Sequence, residues 1–171
     1  MSELEAILAA NRRYARDFEP RANVVARGLA VLTCMDARLD PARALGLREG
    51  DAHVIRNAGG VASDDALRSL VISHWRLGTR AALVIGHTDC GMVAFTDDEL
   101  RAKLDAETNA ETANLRFLAF RDVEQQVRES VRVLHETPLL PASYEVVGLV
   151  FDIETGALRP VDPGSDPVTE V

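Results

Sequence analysis

The chain's only two cysteines and one of its four histidines fall in a pattern able to hold a metal. His87 and Cys90 stand in the stretch "VIGHTDCGM", directly after the apolar run Ala81–Gly86. Cys34 closes a second apolar run, "GLAVLTC". Both runs read as buried strands, so all three side chains fall at strand ends. A pair of cysteines could form one disulfide, but nothing in the chain points to an oxidising compartment. As a set, Cys34, His87 and Cys90 offer two thiolates and an imidazole, which favour zinc over magnesium or calcium. Three protein ligands leave one tetrahedral position for water or substrate, the arrangement of catalytic rather than structural zinc. His87 and Cys90 reach the same ion if the chain turns helically between them.

Asp36 and Arg38 follow Cys34 in "TCMDARLD". In an extended segment alternate residues share a face, so Asp36 follows Cys34 toward the ion. Arg38 is a bidentate partner able to keep that carboxylate ionised and oriented. Beside an ion Asp36 has two possible roles: accepting a hydrogen bond from bound water, or swinging in as a fourth ligand. Away from such a site the pair would be a surface ion pair of little energetic weight.

The elements that must position these residues alternate. Leu4, Ile7, Leu8, Tyr14 and Phe18 give a helical stripe over 2–18, broken at Pro20. A strand ending near Cys34 is followed by a short helix from Pro41 to Leu45, stopped at Gly46. A second strand, Ala52–Arg56, runs into the glycine loop "NAGG". Ser63, with Asp64 and Asp65 after it, starts a helix that Gly78 closes. The third strand spans Arg80–Gly86. Thr96 and Glu99 form a capping box for a helix through Leu104. Residues 105–120 read as loop, and Val123, Val127, Val131 and Leu134 mark another helix. "YEVVGLVFD" is a fourth strand, and Leu158–Val161 a last short arm. The expected fold is therefore α/β, a mixed, mostly parallel central sheet flanked by helices. In such sheets ligands bind outside the carboxyl ends of the strands, where Cys34, Asn57 and His87 all lie.

"CMDAR" followed by "HTDCG" resembles the beta-class carbonic anhydrases, as do "VIRNAGG" and the helix after it. The resemblance runs from about Val31 to Met92. It implies a sheet of four parallel strands plus an edge strand, with Cys34, His87 and Cys90 as zinc ligands and Asp36–Arg38 as catalytic dyad. The implied activity is reversible hydration of carbon dioxide to bicarbonate by zinc-bound hydroxide, Zn2+ lowering the pKa of water to about 7. It further implies a homodimer or homotetramer, with the N-terminal helix packing on a partner subunit. Members with a regulatory bicarbonate site carry tryptophan where this chain has Val31, so no such site and an open zinc with water as fourth ligand are expected. Hydrolysis of carbonyl sulfide or carbon disulfide on the same zinc is the close alternative, and a metal-free cysteine redox or nucleophilic enzyme the distant one. A non-catalytic zinc protein is a third.

The glycine loop Asn57–Gly60 has two readings, framing the pocket or simple turn geometry. Asp89 either faces solvent or supports the site from behind. His74 reads as a packing residue, and Trp75 and Phe95 as packing or interface residues. His53 and His135 carry no assigned role. The chain has 171 residues, 47% hydrophobic and 27% charged, with a net charge of -8. That size suits one domain over 1–171, with an N-terminal helical segment in 1–20 and a frayed tail at 162–171. The acidic balance excludes a nucleic-acid surface. No run reaches the ~18 apolar residues of a membrane span. A cytoplasmic protein is expected.

Overall fold

A five-stranded sheet carries the fold, in the order β2-β1-β3-β4-β5. The computed structural model describes residues 2–162 and residue 164, so the expected frayed tail lies almost wholly outside the described residues. Central strand β1 (Leu29–Cys34) pairs in parallel with β2 (Ala52–Asn57) and β3 (Ala81–His87). Strand β4 (Glu145–Phe151) pairs in parallel with β3, and the short β5 (Leu158–Pro160) runs antiparallel to β4. Four parallel strands and an antiparallel edge match the expectation. The register pairs Cys34 with Asn57 and Thr33 with Ile85, so the ends of β1, β2 and β3 share one edge.

The central strands β1 and β3 are buried along most of their length, as the middle of a parallel sheet requires, while β2 and β5 at the edges are only partly covered. On one side Ala30, Leu32, Ala82, Val84 and Val150 pack under α3 (Asp64–Leu77) and α5 (Val123–Glu136). Val127, Val131 and Leu134 form the inward stripe of α5 at helical spacing. That helix lies very close to the sheet, because a Cβ at Gly86 would sit 2.7 Å from Val123 Cγ1. On the other side Val31, Ile85, Phe151 and Leu39 form a second cluster, with Leu45 of α2 (Pro41–Leu45) against it.

Local signals set the helix ends. Ser63 Oγ accepts from the Ala66 amide, and Gly78 takes the left-handed conformation that stops α3. The expected capping box of Thr96 and Glu99 starts α4 (Asp97–Glu107), one turn longer than its apolar pattern suggests. Helix α1 (Glu3–Tyr14) is shorter than the 2–18 stripe predicts, and none of its residues is buried. Leu4, Ile7 and Leu8 are exposed, so no core contact prolongs the helix toward Phe18. The Tyr14 hydroxyl donates to Glu49 at 2.6 Å. No described helix is long and apolar enough to cross a membrane.

Candidate metal centre

The shared strand edge brings the three soft ligands together. The Cys34 and Cys90 Sγ atoms and a His87 ring nitrogen lie within 4.8 Å of one another, and all three residues are buried. Cys34 ends β1 and His87 ends β3. The link from His87 to Cys90 is not the helical turn expected from the spacing. It passes through Asp89 in the left-handed region at φ 53°, and Cys90 is extended. A left-handed residue reverses the chain in fewer steps than a helical turn, and aspartate tolerates it better than most.

His87 is oriented from behind. Its Nδ1 lies 2.8 Å from the Thr88 carbonyl oxygen, which can only accept, so the proton sits on Nδ1. In the neutral imidazole Nε2 then carries the lone pair. It is buried and has no hydrogen-bond partner among the described residues. A buried nitrogen lone pair beside two sulfurs is costly unless something fills it, and a metal ion satisfies all three donors at once. Thr88 is itself fixed: its amide donates to Phe151 O at 2.9 Å and its Oγ1 accepts from the Ile153 amide at 2.9 Å. The donor set therefore fits zinc.

The thiols share a proton. Cys34 is held far below the ordinary thiol range, first by the hydrogen bond from Cys90, against burial, with help from His87 and the amides of Asp36 and Gly59. Cys90 is pushed up, chiefly because its proton is committed to Cys34. The same sulfur raises His87 against the opposing effect of burial. Both shifts favour the thiolate form of Cys34, the form that binds a metal.

Asp36 follows Cys34 as the alternation predicts, with exposed Met35 between them. Arg38 grips Asp36 by a fork, Nε to Oδ1 at 3.0 Å and Nη2 to Oδ2 at 2.8 Å. Those bonds, and the Arg38 amide on Oδ1, hold the carboxyl well below the usual carboxylate range. Asp36 Oδ2 stands 3.8 Å from His87 Nε2. Arg38 also reaches Asp89, Nη1 to Oδ2 at 2.8 Å and Nη2 to its carbonyl at 3.0 Å. Asp89, open in its sequence reading, both faces solvent and joins the site.

Other supports had weaker signals in the sequence. Arg56 on β2 donates to Cys34 O at 2.9 Å and to Asp36 O at 2.7 Å, fixing the backbone on both sides of Met35. Its place beside the glycine loop was the available clue. The loop itself is more than a turn. Gly59 and Gly60 have φ of 83° and 66°, and a Cβ on Gly60 would lie 3.0 Å from the Cys34 nitrogen. Gly59 faces the Phe120 ring, where an added Cβ would come within 2.7 Å of Cε1. Phe95, Ala119, Phe120 and Val123 pack on the cluster of Cys34, Cys90 and Met92, making an apolar wall beside the ligands. Phe95 belongs to that wall, while His74 packs away from it, bonded to Thr79 O and edge-on to Tyr144.

Comparison with known proteins agrees with this geometry. The family model described as carbonic anhydrase matches residues 29–158. Beta-carbonic anhydrase 1 of Mycobacterium tuberculosis is 42% identical over 164 residues, covering 95% of this chain and all of that protein. A carbon disulfide hydrolase of Saccharolobus solfataricus is 35% identical over 157 residues, covering 78% of this chain and 76% of its own length. The crystal structure of a carbonic anhydrase from Streptococcus mutans superposes with a TM-score of 0.89 at 40% identity, covering 95% of this chain and 99% of that one. With this match across its whole sheet and a Cys-His-Cys set at the strand ends, the chain belongs to the beta-carbonic anhydrase family.

Proposed function

We propose that the protein catalyses the reversible hydration of carbon dioxide to bicarbonate, with zinc held by Cys34, His87 and Cys90 and with Asp36 and Arg38 as the orienting dyad. The observation that carries this reading is the buried Nε2 of His87, without a hydrogen-bond partner among the described residues and set against two sulfurs. When bound, zinc supplies the Lewis acidity that makes water nucleophilic near neutral pH. Asp36, ionised by its fork with Arg38, can only accept hydrogen bonds, so it orients a water through its O–H. Arg38, shared between Asp36 and Asp89, restrains the carboxylate from swinging toward the sulfurs, so Asp36 would orient a water rather than hold the metal itself. Phe95, Ala119 and Phe120 exclude bulk water and suit a small apolar gas.

Hydrolysis of carbonyl sulfide or carbon disulfide is the second reading, supported by the carbon disulfide hydrolase at 35% identity. The same ligands would serve it. The bare apolar face of α1 supports a homodimer or homotetramer in which that helix lies on a partner subunit. Two free thiols in the donor set support a reducing, cytoplasmic setting, and one continuous five-stranded sheet supports a single domain over 1–171. Zinc stoichiometry measured with hydration of carbon dioxide, and with hydrolysis of both sulfur analogues, tests the reading on wild type and Asp36→Ala. About one zinc per chain is expected, with a roughly 10²-fold or greater loss of hydration in the zinc-retaining variant. A zinc-free native protein would favour the metal-free cysteine enzyme, and an indifferent Asp36→Ala would favour a non-catalytic zinc protein.

A further inference from the structure

Two residues of the apolar wall beside the thiols, Ala119 and Phe120, come from a stretch with no helix or strand to hold it. Between α4 and α5 the chain runs without regular structure, yet Ala119 and Phe120 sit firmly against the thiol cluster. Their anchor is one carboxylate. Asp97 Oδ2 accepts from the amides of Phe117 at 2.9 Å and Leu118 at 3.3 Å, and Oδ1 from that of Ala119 at 2.9 Å. Successive amides converging on an oxygen pair form an anion nest, here filled by the chain's own side chain. Reaching it forces Leu118 to φ 59°, a left-handed backbone that leucine avoids. Strain of this kind persists only where surrounding contacts impose it. Beyond the nest, Phe120 lies against Gly59, where no Cβ could stand.

We propose that Asp97 is a positioning residue of the active site, holding residues 117–120 as the wall that seats a small linear substrate beside Cys34 and Cys90. This rests on the carbon dioxide reading of the site. Asp97 touches neither the ligand set nor Asp36; it acts through the backbone of three residues and the side chain of Phe120. Its neighbour Asp98 provides the contrast. Asp98 also stands in the first turn of α4, where a negative charge suits the helix dipole, but it bonds only Arg101 and is 95% exposed. A role limited to starting the helix would make the two interchangeable.

The test compares Asp97→Ala, Asp97→Asn and Asp98→Asn with wild type as full-length, zinc-loaded protein. Three quantities are read: stopped-flow hydration over a range of carbon dioxide concentrations, zinc content, and the rate of tryptic cleavage after Arg116. A displaced wall weakens substrate seating, and misplacements near 1 Å cost up to ~10²-fold. Asp97→Ala is expected to raise KM for carbon dioxide ~10-fold or more, with a smaller change in kcat, full zinc and faster cleavage. Asp97→Asn, which keeps the side chain's shape and one acceptor oxygen, is expected to fall between, and carries the test if Asp97→Ala does not fold. Asp98→Asn is expected to match wild type. Faster cleavage with unchanged KM would overturn the proposal, as would equal losses in Asp97 and Asp98 variants, or a loss explained by missing zinc. Wild type inactive on carbon dioxide would overturn the functional reading instead, and the cleavage comparison would still decide whether Asp97 anchors the segment.

Discussion

Replacing Gly60 by alanine separates backbone strain from contact at the site. Gly60 has φ 66°, and its added Cβ would meet Cys34 N and Thr33 C at 3.0 Å and Thr33 Cα at 3.1 Å. Those are backbone atoms of β1, bonded on both sides to β2 and β3, so they yield little. Gly46 is the matched control, with φ 61° and nothing within 4 Å of its added Cβ. A left-handed alanine costs about 1–2 kcal/mol at either position. Overpacking against a fixed backbone adds about 1–3 kcal/mol at Gly60 alone, giving about 2–5 kcal/mol in total. For a chain of this size 1 kcal/mol is roughly 2–4 °C in Tm. Gly46→Ala is therefore expected to lower Tm by about 2–8 °C and Gly60→Ala by about 4–20 °C, at one protein concentration. Because the displaced atom is the Cys34 nitrogen, Gly60→Ala should also weaken zinc by roughly 10- to 100-fold in competition with a chromophoric chelator. Equal Tm losses, or equal zinc affinity in both variants, would refute the argument that the glycine exists for close approach to the ligand strand.

Arg56→Met removes both bonds to the carbonyls of Cys34 and Asp36. A zinc affinity lower by roughly 10-fold is expected at nearly unchanged Tm, measured by chelator competition and thermal scan. Stripping zinc with a chelator should expose Cys34 and Cys90 to a thiol reagent, raise the rate of labelling and lower Tm, all reversed by zinc. Asp97 lies below the ordinary carboxyl range, first through the Ala119 amide and then those of Phe117 and Leu118. A carboxyl lowered in the folded state stabilises above its unfolded pKa of about 4, and that contribution fades as pH falls through the lower folded value. Asp97→Asn should therefore destabilise by about 1.5–3 kcal/mol at pH 7 in urea titrations, a gap that narrows below about pH 4.

Much of the fold was legible because its signals are local. Apolar runs of strand length, Ser63 and Thr96 as caps, and Gly46 and Gly78 as stops each act within a few residues, and the elements formed there. The meeting of Cys34 with His87 was legible only because parallel strands end on one edge. The route from His87 to Cys90 was not, since three-residue spacing suits a helical turn as well as a left-handed reversal at Asp89. Arg56 and Asp97 escaped for a further reason: both act on backbone groups far along the chain, and a backbone acceptor has no residue type to read. The length of α1 was overstated because periodicity records an apolar face without recording what that face touches.

That bare face has a thermodynamic corollary. An isolated helix shorter than about 12–15 residues is marginal in water even with good caps. Helix α1 is 12 residues long, and its capping box fastens only one end. In the proposed homodimer or homotetramer its folding is tied to the partner surface over Leu4, Ile7 and Leu8, and amide hydrogen exchange becomes a gauge of that assembly. On dilution the protons of α1 should exchange at nearly the rate of an unfolded chain, while those of β1 and β3 keep the protection of the sheet.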